Sequence, residues 1–132
     1  MLTERLLTAL LRRESARQAR LDNLQRLISV PTAAPDRTYM LYLHVPFCEV
    51  LCPFCSFHRV QYHESKARRY FDALRKEIRL AHEAGYRVDE VYVGGGKPTV
   101  DLDQLLETLA LVRDLSPVRT ISVETNPDDM ND

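Results

Sequence analysis

The three cysteines of the chain lie within eight residues, and this run limits most strongly what the chain can be. Cys48, Cys52 and Cys55 form a C-x3-C-x2-C pattern, and the sequence of 132 residues contains no other cysteine. An odd, crowded set differs from the spaced pairs of a disulfide framework. A closed structural zinc site takes four protein ligands, and a cubic iron–sulfur cluster has four corners that thiolates normally fill. Three thiolates therefore indicate a metal site with one position open, which favours chemistry over a purely structural role.

The composition is that of an ordinary globular domain. Hydrophobic residues make up 45% of the chain, charged residues 28%, and the formal net charge is −1. No apolar run approaches the roughly 20 residues of a membrane-spanning helix, and charges interrupt the leucines of the first residues, unlike a signal peptide. A net charge near zero gives no indication of nucleic-acid binding. We therefore expect a protein of the reducing cytoplasm, where thiolates persist as metal ligands, with no membrane span.

The first residues have the pattern of a separate helix. Apolar residues recur at steps of three and four between Leu2 and Ile28, which predicts an amphipathic helix that ends at Pro31. Residues 32–36 are typical of a linker. We predict that residues 1–36 form an N-terminal helix and linker and that residues 37–132 form the main domain. The helix either packs on the outside of that domain or docks another part of a larger enzyme.

The main domain alternates strands with helices. Short β-prone runs predict strands over Met40–Val45, Val88–Val93 and Arg119–Glu124. Ser65 is expected to cap the first helix, and Gly85 to end it. Asp101 with Gln104 resembles a capping pair for the second helix. The predicted apolar faces are Ala67, Tyr70, Phe71, Leu74, Ile78 and Ala81 on the first helix, and Leu102, Leu105, Leu106, Leu109 and Val112 on the second.

This order of elements predicts an α/β fold and the place of its functional residues. Helical crossovers between successive strands require a parallel sheet. The cysteine run follows the first strand, Gly94–Gly95–Gly96 follows the second, and Glu124 closes the third. In parallel α/β folds, functional residues lie at the carboxyl ends of the strands. We therefore expect these three segments to meet at one site at that edge of the sheet.

Four segments of the chain carry a family resemblance. They are Tyr42-Leu43-His44-Val45-Pro46-Phe47 before the cysteines, Ser56-Phe57 after them, Gly94-Gly95-Gly96-Lys97-Pro98-Thr99, and Glu124-Thr125-Asn126-Pro127. From about Leu41 to its end, the chain resembles radical S-adenosylmethionine (SAM) enzymes of the oxygen-independent coproporphyrinogen III oxidase type. The resemblance implies the N-terminal portion of a partial (β/α)6 barrel. A full (β/α)8 barrel takes about 250 residues, so we expect residues 37–132 to be the first half of a truncated barrel.

The resemblance also implies the cofactors. Cys48, Cys52 and Cys55 would bind three irons of a 4Fe-4S cluster, and the open iron would bind S-adenosyl-L-methionine. The implied reaction is cleavage of that cofactor to a 5′-deoxyadenosyl radical, in porphyrin or heme metabolism. The implied partners are a small-molecule tetrapyrrole substrate and an electron donor such as flavodoxin or ferredoxin. With an unpaired edge strand, we expect the 132-residue chain alone to be oligomeric or poorly soluble and inactive.

Further residues receive cofactor-binding roles from the resemblance. Gly94, Gly95 and Gly96 would contact the amino group of S-adenosylmethionine, and Glu124 would accept bonds from the ribose hydroxyls. Tyr42, the candidate catalytic residue, would lie near the sulfonium, and the backbone of Phe54 would meet the adenine. The plainer alternatives are a tight turn for the glycines, an exposed carboxylate without a role for Glu124, and a core residue for Tyr42. Lys97 departs from the family pattern, in which threonine is usual.

Two other functions remain open from the sequence. Coproporphyrinogen oxidases often carry another cysteine directly after the cluster run. This chain has Phe57 at that position, and heme-chaperone relatives share the aromatic residue. A heme chaperone without oxidase activity is therefore one alternative. The other, from a different class, is a zinc-stabilised binding module in which the thiolates are joined by His44 or His58.

Overall fold

Three parallel strands and two long helices form the framework of residues 31–127, which are the residues that the computed structural model describes. In chain order the elements are β1 (Tyr39–Val45), β2 (Phe47–Cys48), β3 (Val60–Gln61), α1 (Glu64–Glu83), β4 (Val88–Gly95), a short 3-10 helix (Pro98–Asp101), α2 (Leu102–Leu115) and β5 (Thr120–Val123). The predicted α/β class, with parallel strands and helical crossovers, is confirmed.

The main sheet has the order β1-β4-β5, and both pairings are parallel. Alternation along each strand sends one set of side chains to the helices, where Leu43, Val45, Val91 and Val93 are almost fully buried. The opposite face carries Tyr42 and Tyr92, paired in register on neighbouring strands and both exposed. All three predicted strands are present, and β4 runs two residues further than predicted, into the glycine run.

Helix α1 packs its apolar face on the sheet through Ala67, Phe71 and Ile78. The prediction that Ser65 caps this helix is wrong. His63 occupies the N-cap, without a side-chain hydrogen bond, and Ser65 lies inside the first turn. The predicted end is confirmed, since Gly85 has a φ of 96° just after the C-cap.

Helix α2 begins with the predicted capping pair, because the Asp101 side chain accepts a hydrogen bond from the backbone N–H of Gln104 at 3.4 Å. Its buried residues are Leu105, Thr108, Leu109, Leu111 and Val112. The predicted face was too wide: Leu102 and Leu106 are 53% and 55% exposed. They lie on the side of the helix that turns away from the sheet.

Arg75 connects the two helices. Its guanidinium donates to Thr108 Oγ1 at 3.3 Å and to Gln104 Oε1 at 3.0 Å on α2. It also makes ion pairs with Asp72 at 2.7 Å and Glu107 at 3.3 Å. The Arg75 side chain is only 12% exposed, so these contacts satisfy a largely buried cation.

A second, small sheet was not predicted. Strands β2 and β3 pair in parallel, with Phe47 opposite Val60 and Cys48 opposite Gln61. The pairing is extended by the Tyr62 N–H, which donates to the Cys48 carbonyl at 2.9 Å. These bonds close the base of the loop that carries Cys52 and Cys55.

The predicted N-terminal helix lies outside the described residues, and the proposed boundary at residue 36 remains a prediction. The start of the described chain is bound to the end of α1, where the Ala33 N–H donates to the Ala84 carbonyl at 2.9 Å. Between residues 31 and 127, neither helix has the length and apolar character needed to cross a membrane.

Candidate functional site

The carboxyl ends of the strands surround a cavity of about 470 Å³, which all three cysteines line. The cysteine loop forms one wall, and the end of β4 forms the other. The convergence expected from the strand order is thus present in the structure. The lining residues are Cys48, Glu49, Val50, Cys52, Phe54, Cys55, Phe57, Arg59, Gly95, Gly96, Lys97 and Asn126.

The three cysteines are free thiols, each half-buried in the cavity wall. Among residues 31–127, no three side chains of His, Cys, Asp or Glu are close enough together to hold one metal ion. His44 hydrogen-bonds through Nδ1 to the Tyr42 hydroxyl at 3.1 Å. All three thiols face the common space of the cysteine cavity.

The protein environment separates the acidities of two of these thiols. Burial, followed by the neighbouring cysteines, raises the pKa of Cys48. A hydrogen bond from the Phe57 backbone lowers the pKa of Cys55, and Arg59 lowers it further. The Arg59 guanidinium also donates to the Cys55 carbonyl oxygen. In the metal-free protein, the Cys48 thiol therefore releases its proton less readily than the Cys55 thiol.

The glycine run approaches β1 and the cysteine loop more closely than any side chain would permit. A Cβ on Gly95, whose φ is 125°, would lie 2.7 Å from the Val45 carbonyl oxygen. A Cβ on Gly96 would lie 2.7 Å from the Phe47 carbonyl oxygen and 2.8 Å from Cys48 Sγ. Glycine is therefore required for space at both positions, and for conformation at Gly95. The glycines are thus needed for the path of the backbone, and the same residues line the cysteine cavity, so the two interpretations of this run are compatible.

Glu124 follows β5 and is held at both carboxylate oxygens. Its Oε1 accepts a hydrogen bond from the Tyr92 hydroxyl at 2.6 Å, and its Oε2 accepts one from the Gly95 N–H at 3.2 Å. A second cavity, of about 290 Å³, lies beside it and shares three residues with the cysteine cavity. Those shared residues are Gly96, Lys97 and Asn126.

Tyr42 and Phe54 lie at the edges of this arrangement. Tyr42 is exposed on the strand face beside Gly94 and stacks on Tyr92, with ring centroids 6.0 Å apart and an interplanar angle of 23°. Tyr42 is 53% exposed, so it lies outside the core that residues 31–127 form among themselves. Phe54 is 87% exposed at the rim of the cysteine cavity.

The sequence analysis missed one contact, between Lys97 and Glu49, and one residue of the site, Tyr92. Lys97 Nζ makes an ion pair with Glu49 Oε2 at 2.7 Å, which joins the glycine segment to the cysteine loop. The lysine that replaces the usual threonine therefore bridges the two walls of the cavity. Tyr92 was not singled out either, although its alternation with the buried Val91 and Val93 places it on the same face as Tyr42.

Comparison with known proteins identifies the family. The model of the Radical SAM superfamily matches residues 42–132 of the chain. The chain belongs to the radical SAM superfamily. The matched range begins at Tyr42, includes the cysteine run and the glycine run, and excludes the predicted N-terminal helix.

Curated relatives place the radical SAM chain in the coproporphyrinogen oxidase-like family. An anaerobilin synthase from Escherichia coli O157:H7 is 35% identical over 101 residues, covering 70% of this chain and 22% of that protein. The oxygen-independent coproporphyrinogen III oxidase of Escherichia coli K12 is 34% identical over 110 residues, covering 78% and 24%. A heme chaperone from Mycobacterium tuberculosis is 36% identical over 115 residues, covering 79% and 30%.

A solved structure agrees with this family. The coproporphyrinogen III oxidase from Escherichia coli, described as a radical SAM enzyme, superposes with a TM-score of 0.63 at 32% identity. The match covers 74% of this chain and 24% of the oxidase. The chain thus spans about a quarter of the length of the anaerobilin synthase and of the coproporphyrinogen III oxidase, and its fold corresponds to part of the oxidase fold.

Proposed function

We propose that the chain binds a 4Fe-4S cluster through Cys48, Cys52 and Cys55 and S-adenosyl-L-methionine beside it, as part of a radical SAM enzyme. The observation that carries the proposal is the cavity that the three free cysteines share with Gly95 and Gly96. Three thiolates without a fourth cysteine suit a cube with one open iron. Family membership supports the same cofactor pair.

The cofactor would lie between the two cavities. Gly96, Lys97 and Asn126 line both, so a molecule that contacts the cysteine site there also reaches the cavity beside Glu124. The glycine run leaves its backbone open to close approach, because side chains are excluded. The Glu124 carboxylate is then available as an acceptor for ribose hydroxyls. Tyr42 would lie near the sulfonium, and the Phe54 backbone near the adenine, as proposed from the resemblance.

The chemistry of such a site is one-electron chemistry. When bound, a reduced cluster would supply one electron for cleavage of a carbon–sulfur bond of S-adenosylmethionine, which gives methionine and a 5′-deoxyadenosyl radical. Cys48, Cys52 and Cys55 would hold the cluster, and the glycine run and Glu124 would hold S-adenosylmethionine beside it. The electron would come from a donor such as flavodoxin or ferredoxin, in a reducing cytoplasm.

We further propose that the substrate is a tetrapyrrole. The relatives are named for anaerobilin, coproporphyrinogen III and heme, and their identities to this chain differ by only a few per cent. One residue favours the heme chaperone as a second candidate function. Phe57, at the position where oxidases often carry a further cysteine, is 74% exposed and lines the cysteine cavity.

Anaerobic reconstitution with iron and sulfide tests the cluster. We expect about four irons per parent chain and a charge-transfer absorption that bleaches on reduction with dithionite. Cys52→Ala should lose this absorption, whereas Ser56→Ala, an exposed change in the same loop, should keep it. A parent chain that holds one tightly bound zinc ion and takes up no iron would show that the zinc-module alternative is correct.

The oxidase and chaperone candidates differ in what reconstituted protein does with tetrapyrroles. An oxidase consumes coproporphyrinogen III together with S-adenosylmethionine, and both losses are measured by chromatography. A chaperone binds heme stoichiometrically, which shifts the heme absorption, and leaves coproporphyrinogen III unchanged. Because we expect the 132-residue chain alone to be inactive, the test uses a protein that carries the whole barrel, and neither activity in that protein, with an intact cluster, would mean that the substrate is not among these tetrapyrroles.

A further inference from the structure

The Glu124 carboxylate is held from two directions by groups of the β4 segment. The Tyr92 hydroxyl donates to Oε1 at 2.6 Å, and the Gly95 N–H donates to Oε2 at 3.2 Å. A carboxylate offers about four lone-pair sites on its two oxygens. Two of them are used by these donors, which leaves two acceptor sites, one on each oxygen. Two hydroxyls on adjacent carbons are the group that such a pair of acceptors fits.

Tyr92 is itself held in place. Its ring stacks on Tyr42 across the β1–β4 pairing, with centroids 6.0 Å apart. The hydrogen bond to Glu124, followed by burial, raises the pKa of the Tyr92 hydroxyl. The hydroxyl therefore stays protonated at neutral pH and acts only as a donor toward the carboxylate. A fixed donor at Oε1 restricts rotation of the Glu124 side chain, which the longer hydrogen bond from the Gly95 N–H would not do alone.

From this geometry we propose that Tyr92 is a positioning residue, which orients Glu124 so that its carboxylate accepts both ribose hydroxyls of S-adenosylmethionine. The inference rests on the proposed cofactor site and adds a residue to which that proposal gives no role. Tyr92 does not contact the ribose in this arrangement. It acts through Glu124, and its effect should disappear whenever the carboxylate or the ribose hydroxyls are removed.

The test compares Tyr92→Phe with the parent in the full chain carrying a reconstituted cluster. The variant keeps the ring and its stacking and removes only the hydroxyl. We expect S-adenosylmethionine, measured by calorimetry, to bind about tenfold more weakly, as for the loss of one hydrogen bond to a charged group. The 2′,3′-dideoxy analogue should bind the variant and the parent equally. In a double-mutant cycle, Tyr92→Phe should have no further effect once Glu124→Gln is present.

Controls separate this role from a structural one. Tyr86→Phe makes the same chemical change on a tyrosine whose ring packs against Tyr39 at a tilt of 59° at the other end of the sheet, and it should leave binding unchanged. The iron content of Tyr92→Phe should equal that of the parent, and its thermal unfolding midpoint should fall only by the small amount expected for one exposed hydrogen bond. Equal affinity of parent and Tyr92→Phe for S-adenosylmethionine overturns the inference, as does an equal loss with the dideoxy analogue. A parent that assembles the cluster and still fails to bind S-adenosylmethionine overturns the proposed function instead.

Discussion

Replacing Gly96 with alanine tests the close contact between the glycine run and the cysteine loop. The added Cβ would lie 2.7 Å from the Phe47 carbonyl oxygen, 2.8 Å from Cys48 Sγ and 2.9 Å from the Pro46 carbonyl carbon. Two of these three atoms belong to the backbone, which cannot move aside as a side chain can. The same backbone is held in place by the Lys97 N–H, which donates to the Phe47 carbonyl oxygen at 2.8 Å.

The magnitude follows from two opposing effects. Overpacking of this kind costs about 1–3 kcal/mol, and backbone obstruction favours the upper end of that range. Alanine also restricts the unfolded chain, which returns about 0.4–1 kcal/mol of stability. We therefore expect Gly96→Ala to lower the free energy of unfolding by about 2 kcal/mol. With a urea dependence of about 2 kcal/mol per molar, the midpoint of unfolding should fall by about 1 M.

The assay is urea unfolding of the metal-free chain, followed by circular dichroism, with Gly94→Ala as the matched control. A Cβ on Gly94 would meet only side-chain atoms, the nearest being Glu124 Oε2 at 2.8 Å, and the carboxylate can move aside if its hydrogen bonds to Tyr92 and Gly95 break. The control should therefore lose about 1 kcal/mol, less than Gly96→Ala. Because the Gly96 Cβ also displaces Cys48 Sγ, the Gly96 variant should release iron to a chelator faster than the control. An unchanged urea midpoint for Gly96→Ala, or an equal loss in both variants, would refute the steric argument.

Three further predictions concern contacts between distant parts of the chain. Lys97→Met should cost no more than about 1 kcal/mol in urea unfolding, since Glu49 is exposed, and the difference should shrink at high salt; a loss that salt leaves unchanged would contradict an ion-pair role. The hydrogen bond to Glu124 raises the pKa of Tyr92, and its contribution to stability is complete below the pKa of the unfolded state, which is about 10. This contribution is lost as the pH rises through the pKa of the folded state. Glu124→Gln should lower that pKa in an ultraviolet titration of tyrosinate, and an unmoved titration would exclude the bond to Glu124 as its cause. Arg75→Met should cost about 1–3 kcal/mol because Arg75 joins the two helices, whereas Arg68→Met, on an exposed i,i+4 pair, should cost about 0.5 kcal/mol, and equal losses would contradict the helix-joining role.

Much of the framework could be predicted from local patterns. The strand and helix order, the parallel sheet, the ends at Gly85 and Asp101 and the convergence of the cysteines with the glycine run were all correct. Each depends on residues close in sequence, such as apolar periodicity or a capping pair. The prediction that Ser65 caps the first helix is wrong because a helix can begin without a side-chain cap, and His63 occupies the N-cap position. The roles assigned to Tyr42, Phe54 and Glu124 remain proposals, since they depend on bound cofactors.

The sequence by itself determined the family, the fold class and the three thiols that we propose as cluster ligands, because these depend on short motifs and on periodicity. Only the tertiary structure decided which side chains meet across the site. Lys97 and Glu49 are 48 residues apart, and Tyr92 and Glu124 are 32 apart, so no local pattern predicts either pair. The same holds for β2 and β3, whose two-residue strands are too short to carry a periodic signal. Long-range contacts of this kind arise from the register of the parallel sheet, which brings the ends of distant strands together.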